Sequence, residues 1–171
     1  MFVCVSLSAQ TYQGNGEIQW NFLKGGSMAH SLSTDQLVVK YQADQDLLQL
    51  MVKPMAFSKD GSSLDKEILT EVLQAPANRL MVLTIRPAGI NEAIIGQSTK
   101  SLAAEVNLRY NSQALDFPAI LTIKPQTEGF ELGLEMMSSL TELGLPLQSS
   151  YQELLSESLQ IMVPGVSLEA I

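Results

Sequence analysis

Three stretches of this chain alternate apolar and polar side chains without a slip. Ile18, Trp20 and Phe22 alternate with Glu17, Gln19 and Asn21; Ala104, Val106, Leu108 and Tyr110 with Glu105, Asn107 and Arg109; Phe130, Leu132, Leu134 and Met136 with Glu131, Gly133 and Glu135. Successive side chains of an extended strand point to opposite faces, so a period of two dictates a strand with one face in a core and the other in water. Runs rich in branched residues add further strands at Leu37–Tyr41, Leu47–Val52 reaching towards Phe57, Leu80–Ile85, Phe117–Ile123, Leu159–Val163 and Val166–Leu168. Turn signals separate them at Lys24-Gly25-Gly26, Ala43–Asp46, Asp60-Gly61-Ser62, Pro87-Ala88-Gly89, Tyr110–Gln113, Pro125–Gly129 and Pro164-Gly165. Many short strands at this spacing predict an all-β, antiparallel sandwich or barrel.

Two segments depart from that rhythm. After Ser62, the spacing to Asp65 is that of a capping box, and Leu64, Ile68 and Val72 stack at i, i+4 and i+8 beside Leu69 and Leu73. This is one main amphipathic helix, closed off by Pro76. Ser138–Leu145 and Ser150–Leu155 suit helical turns or short helices, with Leu140, Leu143, Leu154 and Leu155 as apolar contacts.

The chain of 171 residues fits a single domain, and 46% hydrophobic against 16% charged residues supplies a core without the charge density of a disordered polymer. A net charge of −8, with ten Lys and Arg scattered singly, leaves no basic stripe for phosphate backbones, so nucleic acid is not an expected partner. One Cys and one His fall short of the ligands that metal sites converge, and no cofactor is expected. His30 is the sole imidazole, so every base-activated nucleophile would have to use it, with Ser27, Ser31, Ser33 and Asp35 near in sequence. The carboxylates Asp44, Asp46, Asp60, Asp65, Glu67 and Glu71 sit in turn and helix-surface contexts, as solvated charges do. No P-loop, dinucleotide fingerprint, HExxH or CxxC occurs, and the expectation is a protein that is not an enzyme.

Residues Met1–Gln10 run from apolar into small side chains and read as the remnant of a signal peptide, cleaved near Ala9 or Gln10, with the mature domain over 11–171. The alternative is a frayed first strand. Removal of this segment would take Cys4 with it and leave no thiol, which suits a periplasmic or secreted protein. Cys4 has only Met-Phe-Val before it, which is not a lipobox. No apolar run approaches the roughly 20 residues of a membrane-spanning helix.

A closed antiparallel sheet of eight or more strands has an interior that is either filled by side chains or holds one small ligand. The apolar faces offer Trp20, Phe22, Leu48, Leu50, Val52, Leu108, Leu132 and Leu134 as candidate lining, with Ile161 beside them. A guest there must be hydrophobic, since an unpaired charge stripped of water costs several kcal/mol or more. The same residues equally make a solid core. Seven methionines spread along the strands, Met28, Met51, Met55, Met81, Met136, Met137 and Met162, suit either an adaptable cavity wall or the filling of core gaps.

Four segments resemble the YceI-like family of periplasmic proteins. They are Glu17-Ile-Gln-Trp-Asn-Phe22 leading into Gly26-Ser-Met-Ala-His-Ser31; Leu47–Phe57 followed by a helix ending Leu73-Gln-Ala-Pro-Ala-Asn-Arg-Leu80-Met-Val-Leu; Glu105-Val-Asn-Leu-Arg-Tyr-Asn111-Ser-Gln-Ala-Leu-Asp-Phe117-Pro-Ala-Ile; and Met137–Gly144 followed by Leu159–Ala170. The comparison covers about Gly16–Glu169. It implies an extended lipocalin-like barrel with one helix and a cavity for a polyisoprenoid or acyl chain, hence non-enzymatic lipid binding or transport. A structural or interaction barrel with a filled core is the alternative. The ligand's identity and homodimerisation stay open at this level.

Overall fold

The computed structural model describes residues 10–58, 62–75 and 79–171. All of the Met1–Gln10 signal remnant but Gln10, the Asp60-Gly61 turn and the Pro76 helix stop lie outside the described residues. Eight strands follow in order: β1 (Thr11–Lys24), β2 (Ser27–Gln42), β3 (Leu47–Val52), β4 (Met81–Ile85), β5 (Lys100–Tyr110), β6 (Gln113–Gln126), β7 (Gly129–Ser139) and β8 (Ser158–Ala170). Each pairs antiparallel with the next, and β8 returns to β1, closing an all-β barrel.

The alternation read from the sequence sets which side chains enter the barrel. Trp20, Phe22, Val106, Leu108, Leu132 and Leu134 are buried, while Glu105, Arg109 and Glu135 are exposed. Three signals misled on extent. Thr11–Gly16, a polar segment by composition, is the first half of β1, paired with Leu37–Gln42. Pro164-Gly165 is not a turn. It is a bulge inside one continuous β8, where the register against β7 shifts between Leu132 and Leu134. Pro125 lies within β6 near its end, opposite Phe130. Gly14 and Gly16 allow β8 to cross close over β1, since a Cβ at Gly14 would run into the Ser167 carbonyl oxygen and one at Gly16 into the Val166 side chain.

An up-and-down barrel sends alternate connections to opposite ends. One end carries the β1–β2 turn at Gly25-Gly26, the long β3–β4 connection, the Asn111-Ser112 turn and the β7–β8 connection. The other carries the start of β1, the end of β8 and the β4–β5 connection. The β3–β4 connection holds α1 (Ser63–Glu67), which continues directly into a π-helical stretch, Ile68–Val72. Ser62 caps the helix as its spacing expects, its hydroxyl accepting from the Asp65 N–H at 3.4 Å, while Asp65 Oδ1 lies against His30 Nε2. The β4–β5 connection holds α2 (Ile90–Ile95), a short helix whose N-cap, Gly89, makes no side-chain capping bond and so carries no capping signal in the sequence. The β7–β8 connection contains turns over 140–144 and one 3-10 turn at Ser149–Tyr151, within the helical turns or short helices expected there.

Both ends are shut. At the α2 end, Tyr12, Tyr41 and Phe130 form an aromatic triangle with centroids 5.4–6.2 Å apart. The Tyr41 hydroxyl donates to Asp46 Oδ1 at 2.8 Å, the Gly89 N–H donates to Asp46 Oδ2 at 2.8 Å, and Asn91 Nδ2 donates to the Ala43 carbonyl at 2.9 Å. These bonds fix α2 and the β2–β3 turn as one plug.

Candidate functional site

The eight side chains expected to line a cavity, Trp20, Phe22, Leu48, Leu50, Val52, Leu108, Leu132 and Leu134, are all at least 98% buried. They belong to one continuous core, in which they meet the apolar residues of the other strands. The barrel interior at these positions is filled.

Space remains at the end covered by α1. Trp20, Pro54, Phe57, Leu69, Leu73 and Tyr110 line a narrow seam, no part of it wide enough for a water molecule. Only Trp20 belongs to the expected lining. The others come from the barrel rim and its cover: Pro54 and Phe57 from a 3-10 turn after β3, Leu69 and Leu73 from the helix, Tyr110 from the end of β5. The helical stripe of Leu69 and Leu73 was the available signal, since an apolar face on a helix tied into a barrel has only the barrel mouth to cover. Trp20 stands with its ring centroid 5.9 Å from Phe57 and 5.6 Å from Tyr110. Its indole Nε1 is buried and has no hydrogen-bond partner, one of two such side-chain atoms among the described residues.

The cover is irregular and tied down by polar contacts. In the π-helical stretch the Leu73 N–H reaches back to the Ile68 carbonyl at 2.9 Å, and Gln74, at φ +49, ends the helix in the left-handed region. The freed Leu73 carbonyl accepts from the Tyr110 hydroxyl at 2.6 Å and from Asn111 Nδ2 at 3.4 Å. His30 Nε2 lies 2.9 Å from Asp65 Oδ1. The Tyr151 hydroxyl lies 2.8 Å from both Glu67 Oε1 and Glu71 Oε2. Three separate parts of the barrel, β2, β5 and the β7–β8 connection, thus each hold α1 or its extension. Lys24 Nζ in turn donates to the Gln152 and Glu153 carbonyls at 3.3 and 3.0 Å, drawing the Tyr151 segment over the end of β1. Burial pushes the Tyr110 phenol up. Burial, then the hydrogen bonds to Glu67 and Glu71, do the same for Tyr151.

The polar candidates from the sequence serve these ties. His30 faces Asp65 and no serine; the Ser31 hydroxyl donates instead to Asn21 Oδ1 at 2.7 Å. Asp46, Asp65, Glu67 and Glu71 are therefore bonded to neighbouring elements, unlike the solvated charges expected; Asp60 is outside the described residues. Of the methionines, Met81 and Met136 are buried, Met51, Met55 and Met162 are partly covered, and Met28 and Met137 are exposed. No cluster of three or more His, Cys, Asp or Glu with metal-ligand geometry occurs among the described residues.

No family model and no curated protein matches the sequence. The fold does match solved structures. A polyisoprenoid binding domain from Saccharophagus degradans, implicated in plant cell wall breakdown, superposes with a TM-score of 0.66 at 10% identity, over 96% of this chain and 97% of that one. Burkholderia cenocepacia BcnA superposes with a TM-score of 0.63 at 10% identity, over 89% of this chain and 94% of that one. The chain therefore has the YceI-like fold expected from its sequence, an eight-stranded lipocalin-like barrel shared along nearly its whole length with a polyisoprenoid binding domain.

Proposed function

We propose that this protein is a non-enzymatic carrier that binds one apolar chain, of isoprenoid or acyl type, at the helix-covered end of the barrel. The observation that carries this reading is the seam beneath α1 and its π-helical extension, walled by apolar and aromatic side chains, where an irregular cover is held to the barrel by polar ties. A filled interior does not oppose it. Lifting the helix removes Ile68, Leu69, Val72 and Leu73 from the core, at about 1.5–3 kcal/mol for each side chain left fully exposed. An apolar chain entering behind them covers the surface they vacate and adds about 0.8 kcal/mol per buried methylene. The ligand replaces the helix's own side chains as filler. The solved polyisoprenoid binding domain of the same fold supports this ligand class. A periplasmic or secreted location accords with the reading of Met1–Gln10 as a signal remnant, and cell fractionation with an antibody to the mature chain tests it.

The test of binding is native mass spectrometry of the purified protein after incubation with a mixed bacterial lipid extract and gel filtration. An added mass that disappears on organic extraction is expected. A protein that never acquires one is instead the filled structural module, a reading favoured by the near-complete burial of Leu48, Leu50, Val52, Leu108 and Leu132.

A further inference from the structure

Two of the three arginines in the chain, Arg79 and Arg109, line one open pocket on the outer wall of the barrel. Arg79 leads into β4, and Arg109 stands near the end of β5, opposite Val82 on β4 and Ala114 on β6. The pocket measures about 260 Å³ and is completed by Leu80 and by the β5–β6 turn with Asn111, Ser112 and Gln113. Its wall holds no carboxylate, and neither guanidinium has a carboxylate partner among the described residues. Along this strand pair the next carboxylate is Asp116, one outward-facing position further down, and it accepts from Asn107 Nδ2 at 2.7 Å. A protein of net charge −8 thus gathers two cations on one concave surface without an acid to pair them, and a bound anion relieves their mutual repulsion.

The turn supplies a third donor. Asn111 and Ser112 take φ of +47 and +66, as the two central residues of a tight hairpin do. Glycine is the favoured second residue of such a turn, because it adopts that conformation without strain. Here the position holds a serine, whose hydroxyl accepts from Arg79 Nη1. A hydroxyl that accepts from a guanidinium still has its own proton to give, and that proton has no acceptor among the described residues.

We propose that Arg79, Arg109 and the Ser112 hydroxyl form a binding site for a phosphomonoester, the two guanidinium groups sharing its oxygens and the hydroxyl donating to one of them. The planar fork of a guanidinium matches two oxygens of a phosphate; one fork satisfies a carboxylate, whereas two forks and a hydroxyl suit a tetrahedral dianion. The site lies outside the barrel and is independent of the lipid-binding reading. The phosphate belongs either to a small soluble ester or to a lipid headgroup.

Glycerol 3-phosphate titrated into the ¹⁵N-labelled full chain, against sodium chloride at equal ionic strength, is expected to shift the backbone amides of 111–114 and the arginine Nε–H resonances saturably, and chloride is not. Arg79→Gln and Arg109→Gln should each weaken binding about tenfold. Lys124→Gln removes one positive charge elsewhere on β6 and should leave binding unchanged. All three side chains are exposed, so the variants leave the core intact. Retention of phosphatidylcholine vesicles only when they contain phosphatidic acid, lost in the double variant Arg79→Gln with Arg109→Gln, identifies a headgroup as the source. Binding of the soluble ester without vesicle retention identifies a soluble one. Equal shifts with phosphate ester and chloride together with no retention of vesicles would overturn the site, as would Lys124→Gln weakening binding as much as Arg109→Gln.

Discussion

His30 on β2 and Asp65 on the first turn of α1 face each other at 2.9 Å, each side chain about one-fifth exposed. A pair this close to water contributes at most about 1 kcal/mol to global stability. Its local effect is larger in proportion, because it joins a helix of irregular hydrogen bonding to a rigid strand. His30→Ala is therefore expected to leave the unfolding midpoint nearly unchanged while amide hydrogen exchange quickens over Leu64–Leu73. Exchange rates on β5–β7 should stay as they were. Uniform acceleration across the barrel, or none anywhere, would show that α1 is not a separately opening cover.

Three of the four tyrosines lock connections to the barrel as neutral phenols. Tyr41 is pushed up by burial and then by Asp46, Tyr110 by burial, and Tyr151 by burial and then by Glu67 and Glu71. A phenol whose proton is held more tightly in the folded state favours folding fully below its unfolded pKa, about 10. That contribution is lost as pH climbs above this value towards the folded one. Absorbance at 295 nm on raising the pH should show these three ionising together with loss of structure. Reversible ionisation of these three near pH 10 in a still-folded protein would contradict the buried hydrogen bonds described for them.

The sequence made the strands legible wherever one face met water, because alternation there is forced by geometry. Trp20, Phe22, Leu108, Leu132 and Leu134 were placed on the inner face by that rule alone, and the eight-strand closure confirms the class of fold. It hid what depends on distant neighbours. Thr11–Gly16 looks polar because Gly14 and Gly16 must be small to admit β8, and a missing side chain gives no alternation to read. Pro164-Gly165 has the composition of a turn, but a bulge uses the same residues. Most of the seam was illegible for a related reason. Phe57, Leu69 with Leu73, and Tyr110 come from three separate stretches of chain, and only closure of the barrel brings them to Trp20.

That closure depends on the two glycines. A Cβ on Gly14 would collide with the Ser167 backbone carbonyl, which cannot swing aside as a flexible side chain would. Gly14→Ala is expected to destabilise by more than the roughly 0.5–1 kcal/mol that Ala gains over Gly in ordinary strand or helix interiors, reversing the usual sign. Denaturant unfolding measures the change. Exchange should quicken first along the β1–β8 seam, at residues paired near Tyr12–Ala170. An alanine variant as stable as the parent would mean that the two strands sit further apart.

Leu69 and Leu132 separate the two readings of the barrel. Both are at least 99% buried, and each should cost about 2–5 kcal/mol when cut to alanine, part of it from the void left behind. The voids differ in place. Leu69 belongs to the cover and walls the seam, whereas Leu132 lies on β7 near the end closed by α2. If the barrel admits a chain under the helix, Leu69→Ala enlarges its entrance and should bind hexadecane more tightly than the parent despite its lower stability. Leu132→Ala should show the loss of stability without that gain. A barrel built only as a solid core predicts that both variants are weakened alike and that neither takes up the alkane.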